Sequence, residues 1–224
     1  MKGKLVLFGL ASALACTGAA AQGGAQLRAG VNFANVSVTD EGKVDDAKGL
    51  TSFHLGLIGD VAFDEVLSFQ PGILFTGKGS KTESLTSKAT SNIYYIEIPA
   101  NLVFKVPLGQ QHKFFFGAGP YLGIGVSGKT RIEYRGILGS GKVERNIEFS
   151  NDDPTTLNYQ EGAGFGIVRR FDYGLNGTAG IESKGAVLAV GYGLGLAKLQ
   201  STADNSADNN NKHRVLGVSI GFKL

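Results

Sequence analysis

The chain alternates apolar residues with small or polar ones, at a period of two, over most of its length. In residues 215–224 every second residue is apolar, from Leu216 to Leu224, and the residues between them are mostly small or polar. Because successive side chains of a strand point to opposite faces, this pattern predicts a strand with one apolar face. An apolar face that includes Leu224 is typical of a barrel whose last strand pairs with its first.

About eight segments of this kind follow one another, the number expected for the smallest membrane barrels. One face of each carries mostly large apolar residues, and the other carries mainly Gly, Ser, Asn and Thr. A soluble lipocalin-like barrel would place its apolar face inward and present a charged exterior. We therefore predict an all-β fold, an eight-stranded antiparallel transmembrane β-barrel. The segments are residues 25–36, 50–63, 67–76, 94–106, 115–126, 170–182, 188–196 and 215–224.

The predicted connections alternate in length. Those after the second, fourth and sixth segments are short, whereas those after the first, third, fifth and seventh are long and polar, at residues 37–49, 81–91, 133–168 and 200–211. Short periplasmic turns alternating with long external loops are typical of transmembrane barrels. An even number of strands places both termini on the periplasmic side.

The amino-terminal residues have the features of a secretory signal peptide. Lys2 and Lys4 precede an apolar run, and the small-residue sequence at 19–21 resembles a cleavage site. The run is shorter than the roughly 20 apolar residues that a spanning helix needs. We expect residues 1–21 to be removed after export and residues 22–224 to form a barrel domain in the bacterial outer membrane.

The single cysteine and the net charge exclude several classes of function. Cys16 lies in the predicted signal peptide, and Ala13 stands where a lipoprotein signal usually carries Leu, which disfavours lipidation. Without Lys2 and Lys4, the 22 Lys and Arg residues become 20, against 19 Asp and Glu, so the mature chain gives no evidence for nucleic-acid binding. It also lacks cysteine for a disulfide or a catalytic thiol.

Five strand motifs, four of which contain glycine, together resemble one known family. They are AGVNF at residues 29–33, LSFQPGILF at 67–75, IEIPANL at 96–102, GAGPYLG at 117–123 and GYGLGL at 191–196. The chain resembles the PorT-like outer-membrane β-barrel family, also called a porin family, over nearly all of its mature length. The resemblance implies a small barrel of the OmpA/OmpX type and implies little about activity. The long connection at 132–168 and the terminal Leu224, where an aromatic residue is commoner, depart from the family pattern.

Charged residues of both signs fall on the face that the alternation turns inward. An eight-stranded barrel is just wide enough for its own side chains, so these charges should form ion pairs that plug the lumen. We expect Glu97 and Lys105 to lie at the centre of this network, with Arg28 and Glu182 as partners. A narrow conducting path controlled by these pairs is the alternative. The predicted lumen network comprises Arg28, Asp60, Glu97, Lys105, Arg170, Asp172, Glu182 and Lys223.

Catalytic and metal sites find little support in the sequence. A lipid-modifying hydrolase would need a base such as His54 or His213 beside a serine such as Ser52 or Ser201, and no strand carries a His-x-Ser spacing. The loop at 204–209 is rich in Asp and Asn, but it lacks the central Gly and closing Glu of an EF-hand loop. We therefore expect no cofactor, no metal and no enzymatic activity.

Residues 133–168 form the connection most suited to recognition, because exposed loops on rigid scaffolds commonly carry binding sites. We expect a monomeric surface-interaction or structural barrel, in contact with outer-membrane lipid and, during biogenesis, with the barrel-assembly machinery. An extracellular protein or glycan would be its partner. A narrow channel for ions or small solutes and a lipid-active enzyme are the alternatives. The candidate contacts in this loop are Arg135, Lys142, Glu144, Arg145 and Phe149.

Overall fold

The computed structural model describes most of the predicted barrel domain. The described residues are 24–37, 39–40, 43–44, 49–83, 87–136, 139–150, 167–199 and 212–224. The predicted signal peptide, Cys16, Ser201 and the Asp-rich loop at 204–209 lie outside them. None of the described residues forms a helix that is long and apolar enough to cross a membrane.

Eight long antiparallel strands form a closed ring, which confirms the predicted fold class. Each strand pairs with its neighbour in the chain. The ring closes where β1 pairs with β8, from Gln26 opposite Lys223 to Ser37 opposite Lys212. The strands are β1 (Ala25–Ser37), β2 (Leu50–Gly59), β3 (Leu67–Glu83), β4 (Ser87–Leu108), β5 (His112–Gly136), β6 (Phe171–Glu182), β7 (Ala186–Gly195) and β8 (Lys212–Lys223).

The alternation of the sequence becomes an apolar exterior and a polar interior. In β8, Val218 is 41% exposed on the outer face, whereas the neighbouring Ser219 is 8% exposed in the lumen. On β4, outward apolar residues extend from Tyr94 to Val106. At about 3.3 Å per residue and a tilt of about 40°, this stretch spans about 30 Å, the thickness of a membrane hydrocarbon core. The exposed apolar face therefore has the dimensions of a membrane-spanning band.

Several strands are longer than the apolar pattern predicts. The predicted long connection at 81–91 is wrong, because β3 continues to Glu83 and β4 begins at Ser87, and Glu83 pairs with Lys88. These residues are polar on both faces, so they carry no alternation signal. The predicted second segment, 50–63, is interrupted at Asp60, and only a short strand, Val61–Ala62, follows.

The connection predicted at 133–168 is partly built of strands. A strand at Gly139–Asn146 pairs with the end of β5, from Gly136 opposite Gly139 to Lys129 opposite Asn146. We call residues 129–146 the extended hairpin. A short strand, Glu148–Phe149, then pairs in parallel with Ile167–Val168. The long-loop end of the barrel therefore carries ordered structure above the membrane-spanning band.

Candidate functional site: the lumen and the extended hairpin

A buried lysine organises the lumen near its long-loop end. Lys78 Nζ lies 2.6 Å from Glu97 Oε2 and 2.8 Å from Asp172 Oδ2. The ammonium group also lies 4.2 Å from the centre of the Tyr121 ring, within the range of a cation–π interaction. Tyr121 donates a hydrogen bond of 3.2 Å to Asp172. We call Lys78, Glu97, Asp172 and Tyr121 the Lys78 cluster, in which one cation neutralises part of the charge of two carboxylates.

A second group of ion pairs lies toward the short-turn end. Lys105 Nζ pairs with the carboxylate of Asp60 and lies 3.4 Å from Glu182 Oε2. Lys223 Nζ lies 3.5 Å from Glu182 Oε1. These four residues form the Lys105 cluster, and β4, β6 and β8 supply three of them. Arg28 lies near this cluster, donates a 2.8 Å hydrogen bond to Gln26 and is attracted by Asp60 and Glu182.

A polar cavity of about 110 Å³ separates the two clusters. Asn32 lies at its wall, where its amide oxygen is 2.7 Å from His54 Nδ1 and its amide nitrogen donates to Thr76 at 2.9 Å. Arg28 Nε and Asn101 Oδ1 are buried and have no hydrogen-bond partner among the described residues. Both residues line the cavity, which is large and polar enough for several water molecules.

Apolar side chains cover the lumen above the Lys78 cluster. The Phe149 ring occupies the space in which a side chain at Gly125 would lie, and Ile147 packs over Gly128 in the same way. Tyr95, which is fully buried, meets Phe149 edge to face at 6.4 Å. Its hydroxyl lies 3.3 Å from His213 Nε2. We call this group the lumen cover; it consists of Ile93, Tyr95, Ile147, Phe149, Val168 and Leu199.

The extended hairpin presents charged side chains to solvent. Arg131 Nε donates a 2.9 Å hydrogen bond to Glu144 Oε1, and Lys142 Nζ lies 2.9 Å from the same oxygen. These two interactions hold the pKa of Glu144 below its usual range, and Lys142 has the larger effect. Arg145 is also exposed. The hairpin therefore carries a cationic surface beyond the membrane-spanning band.

The structure corrects two of the predicted positions. The prediction that Arg170 points into the lumen is wrong, because Arg170 is exposed just before β6 and reaches toward the carbonyl oxygen of Phe149 at 3.4 Å. Phe149 is not an external contact, since its ring packs inward in the lumen cover. Arg135 lies in β5, and its side chain is not among those described. The other predicted loop contacts, Lys142, Glu144 and Arg145, are exposed.

The most important lumen residue that sequence reasoning missed is Lys78. The predicted third segment ends at Thr76, because Gly77 and Gly79 take the outward positions that apolar side chains occupy earlier in the strand. The alternation itself could have identified Lys78, because every second residue faces inward and the inward face therefore continues from Thr76 to Lys78. The predicted last strand begins at Val215, whereas β8 already begins at Lys212, and His213 is buried in it.

The comparisons with known proteins identify the family. A sequence model described as outer membrane protein beta-barrel domain matches residues 21–201. The chain belongs to this family. It is therefore an outer-membrane β-barrel protein, and the residues that form the apolar band are its lipid-facing surface. None of the curated proteins matches the sequence.

Solved structures with similar folds are small barrels of low sequence identity. Ail, the attachment invasion locus protein of Yersinia pestis, is 15% identical, with a TM-score of 0.43 over 91% of this chain and 99% of Ail. Neisserial surface protein A is 13% identical, with a TM-score of 0.44 over 89% of this chain and 96% of that one. The N-terminal β-barrel domain of Pseudomonas aeruginosa OprF is 8% identical, with a TM-score of 0.33 over 89% of this chain and 97% of that domain.

The contacts in the Lys78 cluster predict that the barrel loses stability when Glu97 loses its charge. Replacing Glu97 with Gln removes one charge partner of Lys78 but leaves Asp172 in place. We expect the free energy of unfolding from lipid bilayers, measured by urea titration, to fall by about 1 to 3 kcal/mol. The control is Glu144→Gln on the exposed hairpin, which should leave the free energy of unfolding nearly unchanged. Equal costs for the two variants would show that the buried pair contributes no more than a surface pair.

Proposed function

We propose that this protein is a non-enzymatic surface-interaction barrel whose lumen is closed and whose extended hairpin contacts a partner outside the cell. The observation that carries this proposal is the contrast between the two ends of the molecule. The lumen is filled by two ion-pair clusters beneath an apolar cover, whereas the hairpin holds Arg131 and Lys142 in solvent around Glu144. An extracellular protein or a glycan is the expected partner.

The proposed topology follows from the strand count and the loop lengths. Residues 1–21 act as a signal peptide, the barrel-assembly machinery inserts residues 22–224, and both termini lie in the periplasm. The long-loop end then faces the outside of the cell. The protein acts as a monomer of the PorT-like group. Addition of protease to intact cells tests the topology, because cleavage within the hairpin and not at the short turns is expected.

A narrow channel is the second candidate function, favoured by the polar cavity of about 110 Å³ between the clusters. A closed lumen predicts no steady conductance of the wild-type protein in planar bilayers, and a large, steady conductance would favour the channel. An enzymatic function finds less support. His54 binds Asn32, and Ser52 donates its hydroxyl proton to the Gly77 carbonyl at 2.6 Å, so their side chains serve lumen hydrogen bonds.

Removal of the hairpin tip tests whether the hairpin carries recognition. We suggest deleting residues 133–142 and joining Ile132 to Val143 through a short Asn-Gly turn. This variant keeps Ile147 and Phe149, so the lumen cover remains. Proteoliposomes that carry either protein would be applied to arrays of glycans and extracellular proteins. We expect array signals of the wild type to disappear in the trimmed variant.

The trimmed variant also has a defined folding control. Because the deleted pairs lie beyond the membrane-spanning band, insertion and the free energy of unfolding should change by no more than about 1 kcal/mol. A variant that folds and gives the same array signals as the wild type would place the partner site elsewhere on the barrel.

A further inference from the structure

The outer face of the barrel changes from polar to apolar at the same height on two neighbouring strands. On the outward face of β4, Asn92 is followed by Tyr94 and then by Ile96. On β5, Lys129 pairs with Asn92 and Ser127 pairs with Tyr94. The polar side chains of both strands therefore end where the lipid-facing band begins.

A groove of about 210 Å³ lies at this boundary, on the outside of the barrel. Its polar lining includes the carboxylate of Glu144 and five side chains that can donate hydrogen bonds, Thr90, Asn92, Ser127, Lys129 and Arg131. Hydroxyl, amide, ammonium and guanidinium groups all donate hydrogen bonds, which is the set that phosphate oxygens accept. Apart from Glu144, the polar lining of the groove therefore has the chemistry of an anion site.

The cations of the groove exceed its acids. Arg131 uses Nε for its 2.9 Å hydrogen bond to Glu144, and its side chain is 50% exposed. The other guanidinium nitrogens are therefore accessible to a second acceptor. Lys129 is exposed and has no ion-pair partner among the described residues. Glu144 thus orients Arg131 without neutralising the groove.

Aromatic side chains mark the membrane boundary beside the groove. Tyr94, which lines the groove, stacks on Phe75 at 5.4 Å and lies 6.1 Å from Phe53. Aromatic residues on the outside of a barrel concentrate at the level of the lipid headgroups. The groove is therefore at headgroup height, with the apolar side chains of Ile96 and Ile124 next to it on the lipid side.

We propose that this groove binds the phosphate headgroup of a membrane lipid. Lys129 and Arg131 contact the phosphate, Asn92 and Ser127 donate hydrogen bonds, and the acyl chains lie along the apolar surface of β4 and β5. The inference rests on the membrane placement of the barrel and not on the partner proposed for the hairpin tip. In the proposed topology the lipid belongs to the outer leaflet.

Two lipids that differ only in the phosphate test this proposal. Purified wild-type protein would be mixed with dioleoyl phosphatidic acid or with dioleoylglycerol, and the lipid-bound fraction measured by native mass spectrometry. We expect about tenfold stronger retention of phosphatidic acid, because only that lipid engages the two cations. The double variant Lys129→Ala/Arg131→Ala should retain both lipids equally.

Matched variants separate this site from general charge and from the hairpin tip. Lys113→Ala/Lys184→Ala removes the same charge from the short-turn end, and it should keep the preference for phosphatidic acid. The variant without residues 133–142 keeps Lys129 and Arg131, and it should keep the preference even if it loses the array signals. Equal retention of both lipids by the wild type, or an unchanged preference in the Lys129→Ala/Arg131→Ala variant, would overturn the proposal.

Discussion

Replacing Lys78 with Met is expected to destabilise the barrel more than any other single change in the lumen. The variant leaves Glu97 and Asp172 buried side by side without their shared cation. Removal of one partner of a buried ion pair costs about 3 to 5 kcal/mol, since an uncompensated charge stays in a medium of low dielectric constant. Urea-induced unfolding from lipid vesicles measures this loss. Because the chain contains no tryptophan, circular dichroism is a suitable signal.

The carboxylates themselves provide the control for this prediction. In the triple variant Lys78→Met/Glu97→Gln/Asp172→Asn no charge is left unpaired, so the triple variant should recover part of the lost free energy of unfolding. Lys142→Ala, which breaks an exposed pair with Glu144, should leave the free energy of unfolding nearly unchanged. A Lys78→Met variant as stable as Lys142→Ala would mean that water already solvates the lumen charges.

The alternation predicts the barrel because the membrane and the narrow lumen impose opposite demands on successive side chains. Val218 and Ser219 show the contrast: one faces lipid and the other faces the lumen. The pattern fails where a strand leaves the membrane, since both faces then meet water. For this reason the pairing of Glu83 with Lys88 was predicted as a loop.

The alternation of a strand identifies which charged side chains face inward, but it does not identify their ion-pair partners. Glu97 and Lys105 share one strand, and at about 3.3 Å per residue they lie about 26 Å apart along it, too far for one compact network. The register of neighbouring strands decides which charges meet. Lys105 therefore joins Asp60 and Glu182, while Glu97 meets Lys78.

The inward position of Phe149 was also inaccessible to sequence reasoning. Its position in the long connection at 133–168 predicts an external contact. The structure shows that the side chains of Phe149 and Ile147 fill space beside glycines of β5, Gly125 and Gly128. A contact between a loop and a distant pair of glycines depends on how the loop turns back over the barrel, which no local pattern encodes.

Placing an arginine on the lipid-facing surface should show directly how deep each outward position lies. Ile98 faces outward near the middle of the apolar stretch from Tyr94 to Val106. Ile98→Arg is expected to lower the free energy of unfolding by about 2 to 4 kcal/mol, because a cation near the bilayer midplane loses its hydration. Equilibrium unfolding from phospholipid vesicles is the appropriate measurement.

Two further substitutions separate the effect of depth in the membrane from the effect of facing outward or inward. Leu108→Arg puts the same side chain at the end of β4, where the interface is close and the cost should fall to about 0 to 1 kcal/mol. Gly123→Ser changes an inward position, where a Cβ would meet Asp172 and Tyr95 at ordinary distances of 3.4 Å, and it should cost at most about 1 kcal/mol. If Ile98→Arg cost no more than Leu108→Arg, the outward face around Ile98 would not lie in the hydrocarbon core. A steep dependence on depth would instead fix the hydrocarbon core around Ile98 and leave the groove beside Tyr94 at the level of the lipid headgroups.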